Sequence, residues 1–395
     1  MNELILATTA FSFVAFSVNA HAVGVEMYGQ VNKGVMITDN GDSTSFNVVD
    51  NDFSSTRFGL RGSQVLANGL TASFLLEADL RGNSSSSVNG SHPSNVGIGN
   101  ATFEERHARV GLAGEWGAVF VGKTSTATDG VTEVDLGAAQ DVTGSAVGRI
   151  GGGVEILNAA SAPTGFIIDN FANNMSGVGT PHLNSSTLPD AAAVVGDIYA
   201  DRVNVVRYDS PIFEGFQGRV AVAQGGDIDL GVYYSGKFDA FEIAAGLGFV
   251  KFNDHLETVD AATLALVDAG RAAGDLKAEK QWSGSFSVKH DSGIAGTVAY
   301  GELSYDNKTP GTQDAEFYYG KLSYQLNEWG FAGEYGVFEN ALKDELKYYG
   351  LAAQYDMGHG VSVAGYWKNF DVDFNAAAAT SKEVDVYGVG LRVKF

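Results

Sequence analysis

The chain has 395 residues, 25 Lys+Arg against 47 Asp+Glu, 51 Gly, 6 Pro and no Cys, for a formal net charge of −22. The charge excludes nucleic acid as a bulk electrostatic partner, and the missing cysteine excludes thiolate metal sites, cysteine nucleophiles and disulfides. Hydrophobic residues at 45% exclude a disordered chain, and many glycines and aromatics with few prolines suit long strands and tight turns.

Residues 1–22 read as an export signal. Leu4 to Val18 are almost all apolar, and Ala20-His21-Ala22 is a small-x-small site that predicts cleavage after Ala22. Glu3 stands where a basic residue is usual. No later run of about 18 apolar residues follows, so no membrane-spanning helix is expected. Residues 23–395 are expected to form one domain.

From there the dominant signal is alternation with period two. Trp282, Phe286 and Val288 share one side, with Gln281, Ser283, Ser285 and Ser287 on the other. Ile228, Leu230, Val232 and Tyr234 alternate with Asp229, Gly231, Tyr233 and Ser235. Such segments are strands with one apolar and one polar face. Sixteen are predicted: 24–37, 55–66, 69–81, 102–113, 117–123, 201–209, 216–224, 228–238, 241–253, 281–291, 294–306, 314–327, 331–342, 345–357, 361–374 and 383–395. Alternation at 294–306 does not choose an outer face.

Connections after even-numbered strands are short, such as Ala67-Asn68, Asp239-Ala240 and Ser292-Gly293. Those after odd-numbered strands are mostly longer: 38–54, 82–101, 124–200, 254–280 and 375–382. Aromatics gather near strand ends, as at Phe238 and Phe241, Trp329 and Phe331, and Tyr366, Trp367 and Phe370. Sorted loop lengths and aromatic girdles are features of an outer-membrane barrel, with lipid outside and water inside to satisfy the two faces. The fold class read here is therefore all-β: a transmembrane antiparallel β-barrel of 16 strands with both ends on the periplasmic side.

Particular segments then resemble a known family. Ser55-Thr56-Arg57-Phe58-Gly59-Leu60-Arg61-Gly62-Ser63, with Leu66 to Leu70 and Phe74 to Glu77, is similar to the second-third strand hairpin of Gram-negative general porins. Arg109 to Leu112 with Gly117 to Lys123 resembles the next hairpin, and Asp201 to Phe216 the strand after the constriction loop. Tyr387 to Phe395 resembles the terminal signature of outer-membrane barrels. The resemblance implies a homotrimer in the outer membrane of a Gram-negative bacterium, in contact with outer-membrane lipid and lipopolysaccharide. It also implies folding by the barrel-assembly machinery, with Tyr387, Leu391, Val393 and Phe395 as the assembly signal. Its function would be passive diffusion of ions and small hydrophilic solutes, with no cofactor and no metal. The third loop, 124–200, is longer than the family usually has, which leaves open a substrate-specific channel or a plugged, non-channel barrel.

Six basic residues fall between 57 and 123, whereas 124–200 has Arg149 alone against eight acids. An acidic loop folded inward would face a basic wall and set up a transverse field. Parity opposite to apolar neighbours sends Arg57, Arg61, Arg109 and Arg207 into the lumen, since arginine at the lipid-facing midplane costs roughly 2–4 kcal/mol. With Lys123 these make the expected basic wall, Arg202 being placed at the rim. Asp129, Glu133 and Asp135 are the expected acidic side. Bulk charge favours cations at the mouth and the arginines favour anions, with a lean to weak cation preference. Loop 38–54, with Asp39, Asp42, Asp50 and Asp52, is read as a solvated tip without a full calcium-loop spacing. No histidine lies in a nucleophile or metal-site motif, so no enzyme is expected.

Overall fold

The computed structural model describes residues 24–88, 102–172, 175–176, 202–259, 274–306, 308, 311–375 and 380–395. The expected signal segment lies outside the described residues. In chain order the strands are β1 (Gly24–Asp39), β2 (Thr44–Asp50), β3 (Arg57–Val65), β4 (Thr71–Arg81), β5 (Thr102–Gly114), β6 (Gly117–Ser125), β7 (Glu155–Leu157), β8 (Pro163–Ile167), β9 (Arg202–Asp209) and β10 (Phe216–Ala223). They continue with β11 (Ile228–Phe238), β12 (Phe241–Val259), β13 (Gly274–His290), β14 (Ile294–Tyr305), β15 (Ala315–Leu326), β16 (Trp329–Glu339), β17 (Glu345–Gly358), β18 (Val361–Asp373) and β19 (Val384–Lys394).

All but β7 and β8 belong to one antiparallel sheet. β1 pairs β19 from Gln30↔Lys394 to Asp39↔Asp385, which closes the sheet into a barrel. β2 and β3 both pair β1, over Lys33–Asp39 and Gly24–Gln30, and so are two halves of one wall strand. The 17 strands of the sheet thus make a 16-stranded barrel.

Alternation is legible in the packing. On β13, Trp282 and Phe286 are exposed to the outside while Gln281, Ser283, Ser285 and Ser287 are buried inward. On β14 the outer face is Ile294, Val298 and Tyr300, and Ala295, Thr297 and Ala299 point inward. Outward rings meet across strands in two belts. Phe216–Tyr234 (4.6 Å) and Trp329–Tyr355 (4.8 Å) lie toward the end with the short turns, and Tyr300–Tyr318 (5.0 Å) and Tyr335–Tyr349 (5.1 Å) toward the other.

Two expected loops contain strand among their described residues. Within 38–54 the connection is a tight turn: Gly41 adopts φ +81, and the Asn40 side chain accepts from the N–H groups of Asp42 and Ser43. Phe46 and Val48 then face outward and Ser45 and Asn47 inward, an alternation masked in the sequence by the flanking acids. Asp50 and Asp52 are not solvated tips. Asp50 is buried, pairs with Lys33 at 2.5 Å and accepts from the N–H groups of Gly82 (2.9 Å) and Asn83 (3.1 Å). Asp52 accepts from the hydroxyl of Ser84 and the N–H of Ser86. At 254–280, β12 and β13 pair beyond a register shift between Lys251 and His255, and that irregularity breaks the sequence alternation.

Residues 126–172 form a strap that runs along the inner wall. The N–H of Thr128 donates to Asp229 on β11, those of Val134 and Leu136 to Ser285 and Ser287 on β13, and that of Ala138 to Ser323 on β15. The N–H of Gly144 donates to Glu334 on β16, and Asp141 meets Ser362 on β18 and Arg392 on β19. Beyond it, Ile150, Ile156, Phe166, Ile168 and Phe171 join Leu303, Phe317, Phe338, Leu346 and Phe370 in one buried apolar cluster. That cluster sits inside the barrel, against inward faces of β14 to β18.

Candidate functional site: an arginine wall and an internal strap

Arginines line the inward side of β3 to β5, β9 and β10. Arg57 approaches Glu77 at 3.8 Å. Arg106 donates to Glu77 (2.6 Å) and Asp79 (3.1 Å), and Tyr28 donates to Glu77 at 2.7 Å. Arg81 pairs with Asp79 and Glu104. Arg207 makes a two-pronged bond to Asp209 (2.8 and 3.0 Å) and donates to the carbonyl of Ser125. Planar fork-to-carboxylate bonds of this kind fix the guanidinium as well as its charge. Arg219 lies 3.9 Å from Asp209 and 4.1 Å over the Tyr233 ring. Phe120 stacks under two guanidiniums, Arg109 at 4.1 Å and Arg207 at 5.2 Å. Gly111 leaves room for that ring, because a Cβ there would meet Phe120 at 2.6 Å.

The expected site residues separate into groups. Arg57, Arg109 and Arg207 lie in this cluster. Arg61 is half exposed near the β3–β4 turn, paired with Glu26 at 2.7 Å. Lys123 shares parity with Val119 and Val121 on β6, an outward face, and its strand neighbours are Ala108 and Asn204. On the strap, Asp129 approaches Arg202 of the wall at 3.9 Å. Glu133 pairs instead with Arg149 of the strap itself (2.9 and 3.1 Å). Asp135 reaches the other side of the lumen, to Lys321 (2.7 Å) and Thr297 (2.7 Å). Tyr387, Leu391, Val393 and Phe395 share the outer face of β19, and Phe395 exchanges two 3.0 Å backbone bonds with Gly29 where β1 meets it.

Sequence parity did not single out Arg106, Arg219, Glu77, Asp79 or Asp209. For Arg219 the signal was present, since its parity is opposite to that of Val220 and Val222. For Arg106 it was not: β5 shifts register opposite Glu77 and Ala78, so Arg106 turns inward beside His107 and Arg109. His107 completes the link between elements, with Nδ1 3.0 Å from the Thr124 hydroxyl and Nε2 accepting from Arg202 at 3.3 Å.

At the barrel end opposite the termini, the β7–β8 hairpin of the strap is tied to the β18–β19 connection. The Ala159 N–H donates to the Thr380 carbonyl, and the Lys382 N–H to the Leu157 carbonyl. Lys382 Nζ donates to the Gly41 carbonyl (2.8 Å) and the Ser161 hydroxyl (2.6 Å). Lys382→Ala is expected to loosen this tip by about 1 kcal/mol, giving roughly fivefold faster proteolytic cutting at 158–162. Global unfolding should stay unchanged, and limited proteolysis beside a thermal melt reads both.

A family model described as Gram-negative porin matches residues 7–376. Curated protein sequences give no match. Among solved structures, an anion-selective porin from Comamonas acidovorans is similar over 95% of this chain and 100% of its own, at 16% identity and TM-score 0.59. In-vitro folded OmpT of Vibrio cholerae, in a trimer form, covers 95% and 100% at 14% identity and TM-score 0.54. The outer membrane channel DcaP of Acinetobacter baumannii covers 97% and 100% at 12% identity and TM-score 0.57. At these identities the likeness is one of fold.

Proposed function

The chain belongs to the Gram-negative porin family, and from that premise we propose that solutes cross it along the arginine wall, with the strap as the opposite side of the passage. As a porin it resides in the outer membrane and forms a diffusion channel. The carrying observation is the asymmetry of the interior. The side against β14 to β18 is filled by the apolar cluster, while the side of β3 to β6, β9 and β10 carries fixed charge.

The cargo is ions and small hydrophilic solutes, moved without covalent chemistry. At the wall, Arg57, Arg81, Arg106, Arg109, Arg202, Arg207 and Arg219 stand against Glu77, Asp79, Glu104, Asp129 and Asp209, a local charge of +2. Of the other strap charges, Glu133 pairs with Arg149, Asp135 with Lys321 and Asp141 with Arg392, while Glu155 and Asp169 lie on the strap's apolar half. Selectivity is set at the narrow part, so this wall favours weak anion preference despite the net charge of −22. In a KCl gradient across a planar bilayer, the reversal potential should lie on the chloride side. The double variant Arg57→Gln/Arg219→Gln, which takes the wall to zero, should move it toward the potassium side. A potassium-side potential in the native protein overturns the reading.

A homotrimer is proposed as well, supported by the trimer form of the Vibrio cholerae structure; conductance should then rise in steps of three. Contacts with lipopolysaccharide, and reading of Tyr387, Leu391, Val393 and Phe395 by the barrel-assembly machinery, complete the proposal. The apolar cluster also favours a second reading, in which the strap is a plug; excising its apolar half, residues 150–172, separates the two.

A further inference from the structure

The outer face of the barrel is not evenly filled. One cross-strand row runs Val288, Gly296, Leu322, Gly333, Leu351, Trp367, over β13 to β18. The row above it runs Phe286, Val298, Gly320, Tyr335, Tyr349. Large side chains thus alternate with glycines, and together they wall a groove of about 820 Å³. Nothing in the chain itself demands those glycines. A Cβ added at Gly296 or Gly320 meets nothing within 4 Å, and at Gly333 it meets Leu351 Cδ2 at an ordinary 3.6 Å. The space is open on a largely apolar outer face.

Two observations say what covers it. The groove is continuous with the lipid-facing surface of an outer-membrane barrel. Gly320 lies four residues from Glu316 on β15, about 13 Å along the strand, roughly half the ~25 Å height of the apolar band. Hydrocarbon, not water, is the medium at that depth. Second, a further row on the same outer face runs Glu302, Glu316, Glu339, Glu345, Asp373. Lys347 bridges Glu345 and Asp373 at 2.8 and 2.9 Å, and the remaining carboxylates opposite one another leave the row net negative. A second copy of a chain at −22 would meet this row with like charge, so self-association through this face is disfavoured.

We propose that the groove across β13 to β18 holds one hydrocarbon chain of a membrane lipid as an ordered, preferred occupant. A void there would forfeit contacts on every wall, whereas a flexible chain laid along the glycines recovers them. Leucine at Gly320 fills the floor and leaves the barrel otherwise untouched.

The test is photolabelling of the full chain in vesicles of phosphatidylethanolamine and phosphatidylglycerol, doped with a phospholipid carrying a diazirine in mid-chain. Labelling per residue at Val298, Leu322 and Leu351 should exceed that at the outward Val110 and Val206 by about fivefold, the ratio that ~1 kcal/mol of added contact gives. Gly320→Leu should bring it down to the level of Val110. Uniform labelling overturns the proposal even without the variant. Unchanged labelling in Gly320→Leu, or a crosslink from this face to a second copy in place of lipid, overturns it too.

Discussion

Lys368→Ala is expected to lower the free energy of unfolding by about 3–5 kcal/mol, the cost of stranding a buried charge. Lys368 on β18 and Glu334 on β16 are each 1% exposed and 3.1 Å apart. Glu334 also accepts from the hydroxyls of Tyr319 (2.6 Å) and Tyr348 and from the N–H of Gly144 on the strap (3.0 Å). The Lys368 ammonium faces the Phe53 ring at 5.0 Å, in the turn that interrupts β2 and β3. One pair therefore holds wall, strap and wall interruption together. Removing both charges leaves no stranded ion, so Lys368→Met/Glu334→Gln should recover most of the loss. Urea unfolding in detergent micelles, followed by tryptophan fluorescence, measures both. Equal stability of Lys368→Ala and the native protein would remove the pair from any structural role.

Excision of residues 150–172, closed by a short Gly-Ser link, is the second large effect. Those residues supply the strap's share of the apolar cluster, including Ile156, Phe166, Ile168 and Phe171, each 3% exposed or less. Single-channel conductance should rise severalfold if this half of the strap closes the lumen. It should rise only modestly if the passage already runs past it along the arginine wall. The excised barrel exposes Leu303, Phe317, Phe338 and Phe370 to water, so it is also expected to unfold at lower urea. A conductance equal to the native value would place the passage away from the strap altogether.

Much of this was legible in the residues, and the misses have physical causes. Strand 228–238 was read to the residue because nothing interrupts its alternation. β2 was missed because Asp50 and Asp52 look like a loop; several of the groups that satisfy them come from 82–86, some thirty residues on. Parity located Arg57, Arg109 and Arg207 on the inner wall, yet it carries no information about pairing. Serines such as Ser285, Ser287 and Ser323 read as a generic polar face, when each accepts a specific strap N–H. The apolar cluster did leave a signal. Inward parity carries Leu303, Phe317, Phe338, Leu346 and Phe370 at the same end of successive strands, where a water-filled lumen has no use for them. Phe370, expected in an aromatic girdle, is inward and buried.

The seat of the strap has a consequence for how the molecule is made. Its anchors are spread over β11, β13, β15, β16, β18 and β19, all of which follow it in the chain. When residues 126–172 are synthesised, these wall anchors do not yet exist, and only earlier partners such as Asn51 and Ser85 do. The strap therefore waits, with its apolar half uncovered, until the final strand meets β1 at Gly29 and Phe395. Contacts between segments so far apart in the chain form late, because loop closure costs entropy before they reward it. Protection of residues 126–172 from protease thus acts as a clock for closure: it should appear last, after the wall strands have formed.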